Sequence, residues 1–192
     1  MRRFTHTFPQ RISAFLLCLA LLVGLLPATA LAAGEIELYV AGQRITESGC
    51  YEKNQDGKWT KVVDSDGTEP ANGQFYYDAA TATLTLNGAT IQGGTSTGSV
   101  PYGAGIYAQC NSGESVSLTI ELIGENTITG YYGIYVNAEM SANSYGTDAS
   151  LNITGNGSLI VTGTNSHGLF VKSGTGNASL NIQQVHVTSS TN

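Results

Sequence analysis

Leu118-Thr119-Ile120-Glu121-Leu122-Ile123-Gly124-Glu125-Asn126-Thr127-Ile128-Thr129-Gly130-Tyr131-Tyr132-Gly133-Ile134-Tyr135-Val136 is one unit of a pattern that runs through most of the chain. A strand sends successive side chains to opposite faces. Leu118 and Ile120 therefore share a face that Thr119 avoids, and Ile134 and Val136 lie opposite Tyr135. The first run recurs as Leu84-Thr85-Leu86, Leu151-Asn152-Ile153 and Leu180-Asn181-Ile182, with starts 34, 33 and 29 residues apart. The last run recurs as Gly105-Ile106-Tyr107-Ala108 and Gly168-Leu169-Phe170-Val171, and the middle one as Leu159-Ile160-Val161-Thr162-Gly163. Each period thus supplies three short strands, apolar on one side and polar or aromatic on the other.

A coil of three such strands cannot enclose a core alone. Coils stacked about 4.8 Å apart pair each strand with its equivalent and bury one aliphatic column. Each buried Leu or Ile then contributes on the order of 1.5 to 3 kcal/mol. The expected fold is all-β, a right-handed parallel β-helix (a single-stranded β-solenoid). An antiparallel sandwich would also explain short strands and Gly-rich turns, but not why like strands recur about every 30 residues. Glycines mark the corners. Gly88, Gly124, Gly155 and Gly157 follow the first strand, and Gly103, Gly105, Gly133 and Gly168 precede or open the last. There positive φ or close backbone approach is required. Asn87, Asn126 and Asn156 share the first set of turns, where the left-handed region is open to them. Residues 93–103, 109–115 and 138–150 read as polar loops of variable length.

The ends differ from the middle. Residues 1–32 carry Arg2, Arg3 and Arg11, an apolar run over 15–26, and small residues around Ala28 to Ala32, which reads as a secretory signal peptide. The run is too short to span a bilayer, which takes about 20 residues. Residues 33–79 form an N-terminal capping segment, with Ile36, Leu38 and Val40 alternating and a charged stretch around Trp59. Residues 80–192 form the coils, and the last coil carries no cap, so the natural polypeptide is expected to continue into further sequence or modules.

Without the signal, five lysines and arginines face fourteen acids, a net charge of −9. Nucleic acid is a poor partner for such a surface. Cys50 and Cys110 remain, and a secreted location permits, without requiring, a disulfide between them. Asp64, Asp66 and Glu69 flank Gly67 with oxygen ligands suited to calcium, although the twelve-residue loop that binds it is incomplete. The strongest recognition candidate is the outward column Tyr107, Tyr135 and Phe170, with Tyr102, Tyr131 and Tyr132 nearby. Stacked rings offer a platform for sugars, and equally stabilise a sheet by about 0.5 to 1.5 kcal/mol per pair.

Glu37-Leu38-Tyr39-Val40-Ala41-Gly42, the run from Tyr77 through Leu84-Thr85-Leu86-Asn87-Gly88 to Ile91, and the run from Leu118 to Ile128 resemble Gram-positive bacterial cell-surface proteins described as carbohydrate-binding domain-containing. They are similar to pectate-lyase-like β-helical pectin-binding proteins that lack lyase activity. The resemblance covers nearly the whole chain after the signal, and its motifs are turn and strand signatures. It implies a secreted, non-catalytic binder of a polysaccharide or cell-wall glycan, with no cofactor beyond a weak calcium candidate. The alternative is a structural or adhesin stalk of a larger surface protein. A lyase or hydrolase is the less favoured reading. A lyase needs clustered carboxylates for calcium and a basic residue to take the proton, yet after Ala80 the chain has one Lys, Lys172, and no Arg. A hydrolase needs paired carboxylates, and Glu114, Glu121, Glu125, Glu139 and Asp148 are scattered along the sequence. His167 and His186 fall in different coils.

Overall fold

Each apolar alternation quoted above becomes a strand. The computed structural model describes residues 36–62, 67, 69–94, 103–110, 114–141, 144–145 and 147–191, so the expected signal peptide lies outside the described residues. In chain order the strands are β1 (Glu37–Val40), β2 (Gln43–Ile45), β3 (Gly49–Lys53), β4 (Trp59–Lys61), β5 (Gln74–Asp78), β6 (Thr83–Asn87), β7 (Thr90–Gln92), β8 (Ile106–Gln109) and β9 (Val116–Ile123). They continue as β10 (Glu125–Gly130), β11 (Ile134–Asn137), β12 (Glu139–Ser141), β13 (Ser144–Tyr145), β14 (Ala149–Gly155), β15 (Ser158–Gly163), β16 (Leu169–Lys172), β17 (Ala178–Ile182) and β18 (His186–Thr191). No helix occurs among the described residues.

Three mostly parallel sheets organise these strands, and none closes into a barrel. The seven-stranded sheet runs β17-β14-β9-β6-β5-β3-β4, the five-stranded sheet β16-β11-β8-β1-β2, and the four-stranded sheet β18-β15-β10-β7. From β6 onward every pairing within them is parallel. The strands holding Leu84, Leu118, Leu151 and Leu180 are neighbours in one ladder, as the period requires. Leu118 faces Leu151, which faces Leu180. Leu84, however, faces Ile120, not Leu118. This two-residue offset leaves the inward face unchanged, because side chains alternate with a period of two.

Before β6 the pairing changes character. β1 runs antiparallel to β8, and β5 antiparallel to β6, so the first edges of the five- and seven-stranded sheets are covered. Trp59 and Phe75, 4.9 Å apart between ring centres, join the same buried cluster as the Leu and Ile columns. The segment 138–150, expected as a loop, forms the short antiparallel pair β12–β13, and β14 already begins at Ala149.

The glycine positions divide by cause. Gly124 has φ 65°, a conformation that costs a residue with a Cβ. Gly133 has no such angle, and a Cβ there would lie 2.5 Å from the Gly168 carbonyl oxygen and 2.4 Å from Val161 Cγ2. The segments before β11 and β16 approach too closely there for any side chain.

Asn126 departs from the expected turn role. It is buried among the inward positions, opposite Leu159, and its φ is not positive. Its Oδ1 accepts the Ala89 N–H at 2.9 Å, and its Nδ2 donates to the carbonyls of Ile123 at 3.0 Å and of Gly124 and Ser158 at 3.3 Å. One amide thus ties the turn before β7, β10 and β15 together, which satisfies a polar group that burial would otherwise penalise.

Candidate functional site

The outer face of β8, β11 and β16 collects the aromatic residues singled out by sequence. Parallel register places Tyr107 beside Tyr135 and Tyr135 beside Phe170, and antiparallel pairing adds Tyr39 beside Tyr107. Successive ring centres are 6.1, 5.3 and 4.8 Å apart. The outward column therefore forms, and two of its rings are covered. Tyr107 is only 4% exposed and Tyr135 only 6%, enclosed with Ala104 in a second apolar cluster.

Hydrogen bonding completes the enclosure of Tyr107. Its hydroxyl donates to Gln109 Oε1 at 2.7 Å and accepts from Asn137 Nδ2 at 3.2 Å. Gln109 Nε2 in turn donates to Glu37 Oε2, and Glu37 Oε1 accepts from Arg44 Nη2 at 2.7 Å. Burial is the main cause that pushes the Tyr107 phenol above its ordinary value. A ring so held is fixed by the sheet around it.

Accessible aromatic surface shifts to the neighbouring corner. Tyr131, Tyr132 and Phe170 are half-buried and His167 is exposed. The Tyr132 and Phe170 rings lie 5.8 Å apart and 10° from parallel, His167 and Phe170 4.7 Å and 14°, and Tyr132 and His167 6.4 Å and 5°. Tyr131 meets Tyr132 edge-on at 5.1 Å. His167 is a member that the sequence pattern missed. Its signal was position, directly before the Gly168 corner, as Tyr132 precedes Gly133. Tyr102 lies outside the described residues.

Carboxylates apart in sequence meet elsewhere. A groove of about 430 Å³ on the outer face of β5, β6 and β9 is lined by Glu69, Asp78 and Glu121 with Tyr76 and the threonines 81, 83 and 85. Thr81 Oγ1 donates to Asp78 Oδ2 at 2.9 Å, and Thr85 Oγ1 to Glu121 Oε2 at 3.4 Å. Glu121 is therefore less solitary than its place in the sequence indicates. Of the calcium candidates, Glu69 lines this groove, and Asp64 and Asp66 lie outside the described residues. Among the described residues no three His, Cys, Asp or Glu side chains are grouped to hold a metal ion.

The considered disulfide does not form. Cys50 and Cys110 are buried free thiols on strands of different sheets or just beyond them. Cys50 Sγ lies 3.5 Å from the Gly67 carbonyl, and Cys110 Sγ 3.1 Å from that of Glu114, so each thiol donates locally. Burial raises the Cys110 thiol above its ordinary value.

No family model matches the chain, and neither does any curated protein or solved structure. Among the described residues no helix is long and apolar enough to cross a membrane.

Proposed function

We propose that this chain is a secreted, non-catalytic module that binds an extracellular polysaccharide or cell-wall glycan, built as a right-handed parallel β-helix of a Gram-positive surface protein. Three parallel ladders that advance together, one strand of each per period of about 30 residues, support the β-helix reading. The observation that carries the binding reading is the corner formed by Tyr132, His167 and Phe170. Three rings within 14° of parallel, with accessible surface, suit the apolar faces of sugar rings. A neutral glycan fits best, because the net charge of −9 on residues 33–192 repels polyanions.

A glycan array probed with the wild type and with Tyr132→Ala and Phe170→Ala tests this reading. Binding should be lost in both variants. Retention unchanged in both, or no glycan bound by the wild type, removes the proposal.

The enclosed Tyr107 and Tyr135 favour a second reading, a stalk or adhesin segment whose rings only stiffen the sheet. In that case the array is blank and the same substitutions change only the unfolding midpoint.

A further inference from the structure

We propose that the groove on the outer face of β5, β6 and β9 is a second binding site, and that it takes a sugar carrying a protonated amino group. It lies on a different sheet from the ring corner and stands whether or not that corner binds a glycan. Strand register builds its floor. Tyr76 pairs with Thr85 and Thr85 with Glu121, while Asp78 pairs with Thr83 in the next row. Glu69, from the segment between β4 and β5, and Thr81, from the turn after β5, also line it. Its volume of about 430 Å³ falls within the range of about 300 to 1,000 Å³ that small-molecule sites occupy.

One polar group in this floor is short of a partner. Thr85 lines the groove yet is only 7% exposed. Among the described residues its hydroxyl reaches Glu121 Oε2 at 3.4 Å, beyond the span of about 2.5 to 3.0 Å of an ordinary O–H···O bond. Buried hydroxyls are normally satisfied. A ligand hydroxyl seated over β6 supplies what Thr85 lacks.

The rest of the lining is rich in acceptors. Glu69, Asp78 and Glu121 contribute carboxylate oxygens, and no lysine, arginine or histidine lines the groove. Arg44 and Lys61 pair with Glu37 and Glu47, outside it. The complement is a donor with positive charge, which the net charge of −9 on residues 33–192 attracts. A bare metal ion would leave most of the space empty. The lysine side chain of a basic peptide offers methylenes, and Ile123 is the one aliphatic side chain in the lining to meet them. Three threonine hydroxyls and the Tyr76 ring suit instead the hydroxyls and the apolar face of a sugar. An amino sugar unites the two chemistries, with its ammonium on the carboxylates and its ring on Tyr76.

Titration calorimetry of the full chain at neutral pH and low salt tests the proposal, with a glucosamine oligosaccharide and its N-acetylated counterpart as probes. The amine form should bind and the acetylated form should not, and added salt should weaken the binding. Asp78→Asn and Glu121→Gln keep the size of each side chain and should each weaken it about fivefold. Thr85→Val removes the buried hydroxyl and should weaken it by a similar factor. All three variants should unfold cooperatively, as the wild type does. Glu125→Gln, which removes an exposed carboxylate outside the groove, should leave the affinity unchanged, and so should Tyr132→Ala. Loss of neutral glycans in Tyr132→Ala therefore reports on the ring corner, and loss of the amine form in the groove variants on this site. Four results overturn the proposal: a wild type that ignores the amine form, equal binding of the acetylated form, tighter binding of oligolysine, or groove variants that bind like the wild type.

Discussion

Leu151-Asn152-Ile153 on β14 and Leu180-Asn181-Ile182 on β17 are the same tripeptide in the same ladder, and they live in different environments. The first has a strand on each side and is sealed from water. The second has one neighbour and leaves both aliphatic side chains nearly half exposed. Identical local sequence gives the same strand in both places, so conformation is set locally. Stabilisation is set by what lies on either flank. The turns show the same gradient: the corner after β9 uses Gly124 at φ 65°, whereas the corner after β17 forces Gln184 to φ 58°, a conformation a side chain resists.

The largest test of that contrast is a pair of truncations. Leu151→Ala should cost about 2 to 5 kcal/mol in urea unfolding, because it opens a cavity in packed surroundings. Leu180→Ala should cost about 1 kcal/mol, in proportion to its smaller buried area. Equal losses would break the comparison.

Asn126→Ala comes next. It leaves the Ala89 N–H without its side-chain acceptor and removes the amide's donations to the carbonyls of Ile123, Gly124 and Ser158, and about 1 to 3 kcal/mol should be lost. A chain that tolerates the change would show that the tie between β7, β10 and β15 contributes nothing.

Close approach supplies a finer test. Gly133→Ala drives a Cβ into the Gly168 backbone and should cost about 1 to 3 kcal/mol. Gly168→Ala meets the movable Ser189 hydroxyl at 2.3 Å and backbone only farther off, the Ser190 and Val161 carbonyls at 2.9 and 3.0 Å, and should cost less. The reverse order would place the rigid part of the molecule at the wrong end.

The smallest expected effect is on alkaline stability. Burial raises the Tyr107 and Tyr51 phenols above 10.0 and the Cys110 thiol above 9.0. These groups stay neutral in the folded chain at pH values where the unfolded chain has begun to ionise them. Their stabilisation is complete below pH 9.0 and is lost as the pH rises through 10.0 and beyond. Thermal midpoints should be flat from neutrality to that point and then fall, less steeply in Tyr107→Phe. A midpoint that rises with alkalinity would contradict the burial of all three groups.

Strand existence and ladder membership were legible in the sequence because alternation and period are one-dimensional signals. Residues 118–136 alone carry both. The offset that sets Leu84 against Ile120 was not legible, since either register hides the same face. Nor was the enclosure of Tyr107 and Tyr135. Alternation says that they point away from the first core, and nothing in it says that Ala104, Tyr132 and Tyr39 close over them. Likewise Asn126 reads as a turn residue by composition, and only the Ala89 N–H and the Ser158 carbonyl, on the segments either side, make it a buried tie. The groove bringing Glu69, Asp78 and Glu121 together depends on antiparallel pairing of β5 with β6, which the repeat does not encode.

The central claim is that strands a full period apart are hydrogen-bonded neighbours. Scalar couplings across hydrogen bonds, measured by NMR, address it most directly. The account predicts couplings from the Ile134 amide to the Gly168 carbonyl, and from the Ser158 amide to the Gly124 carbonyl, which lie 2.8 Å apart in each case. Couplings that instead join strands consecutive in sequence, such as β9 with β10 or β14 with β15, would contradict it.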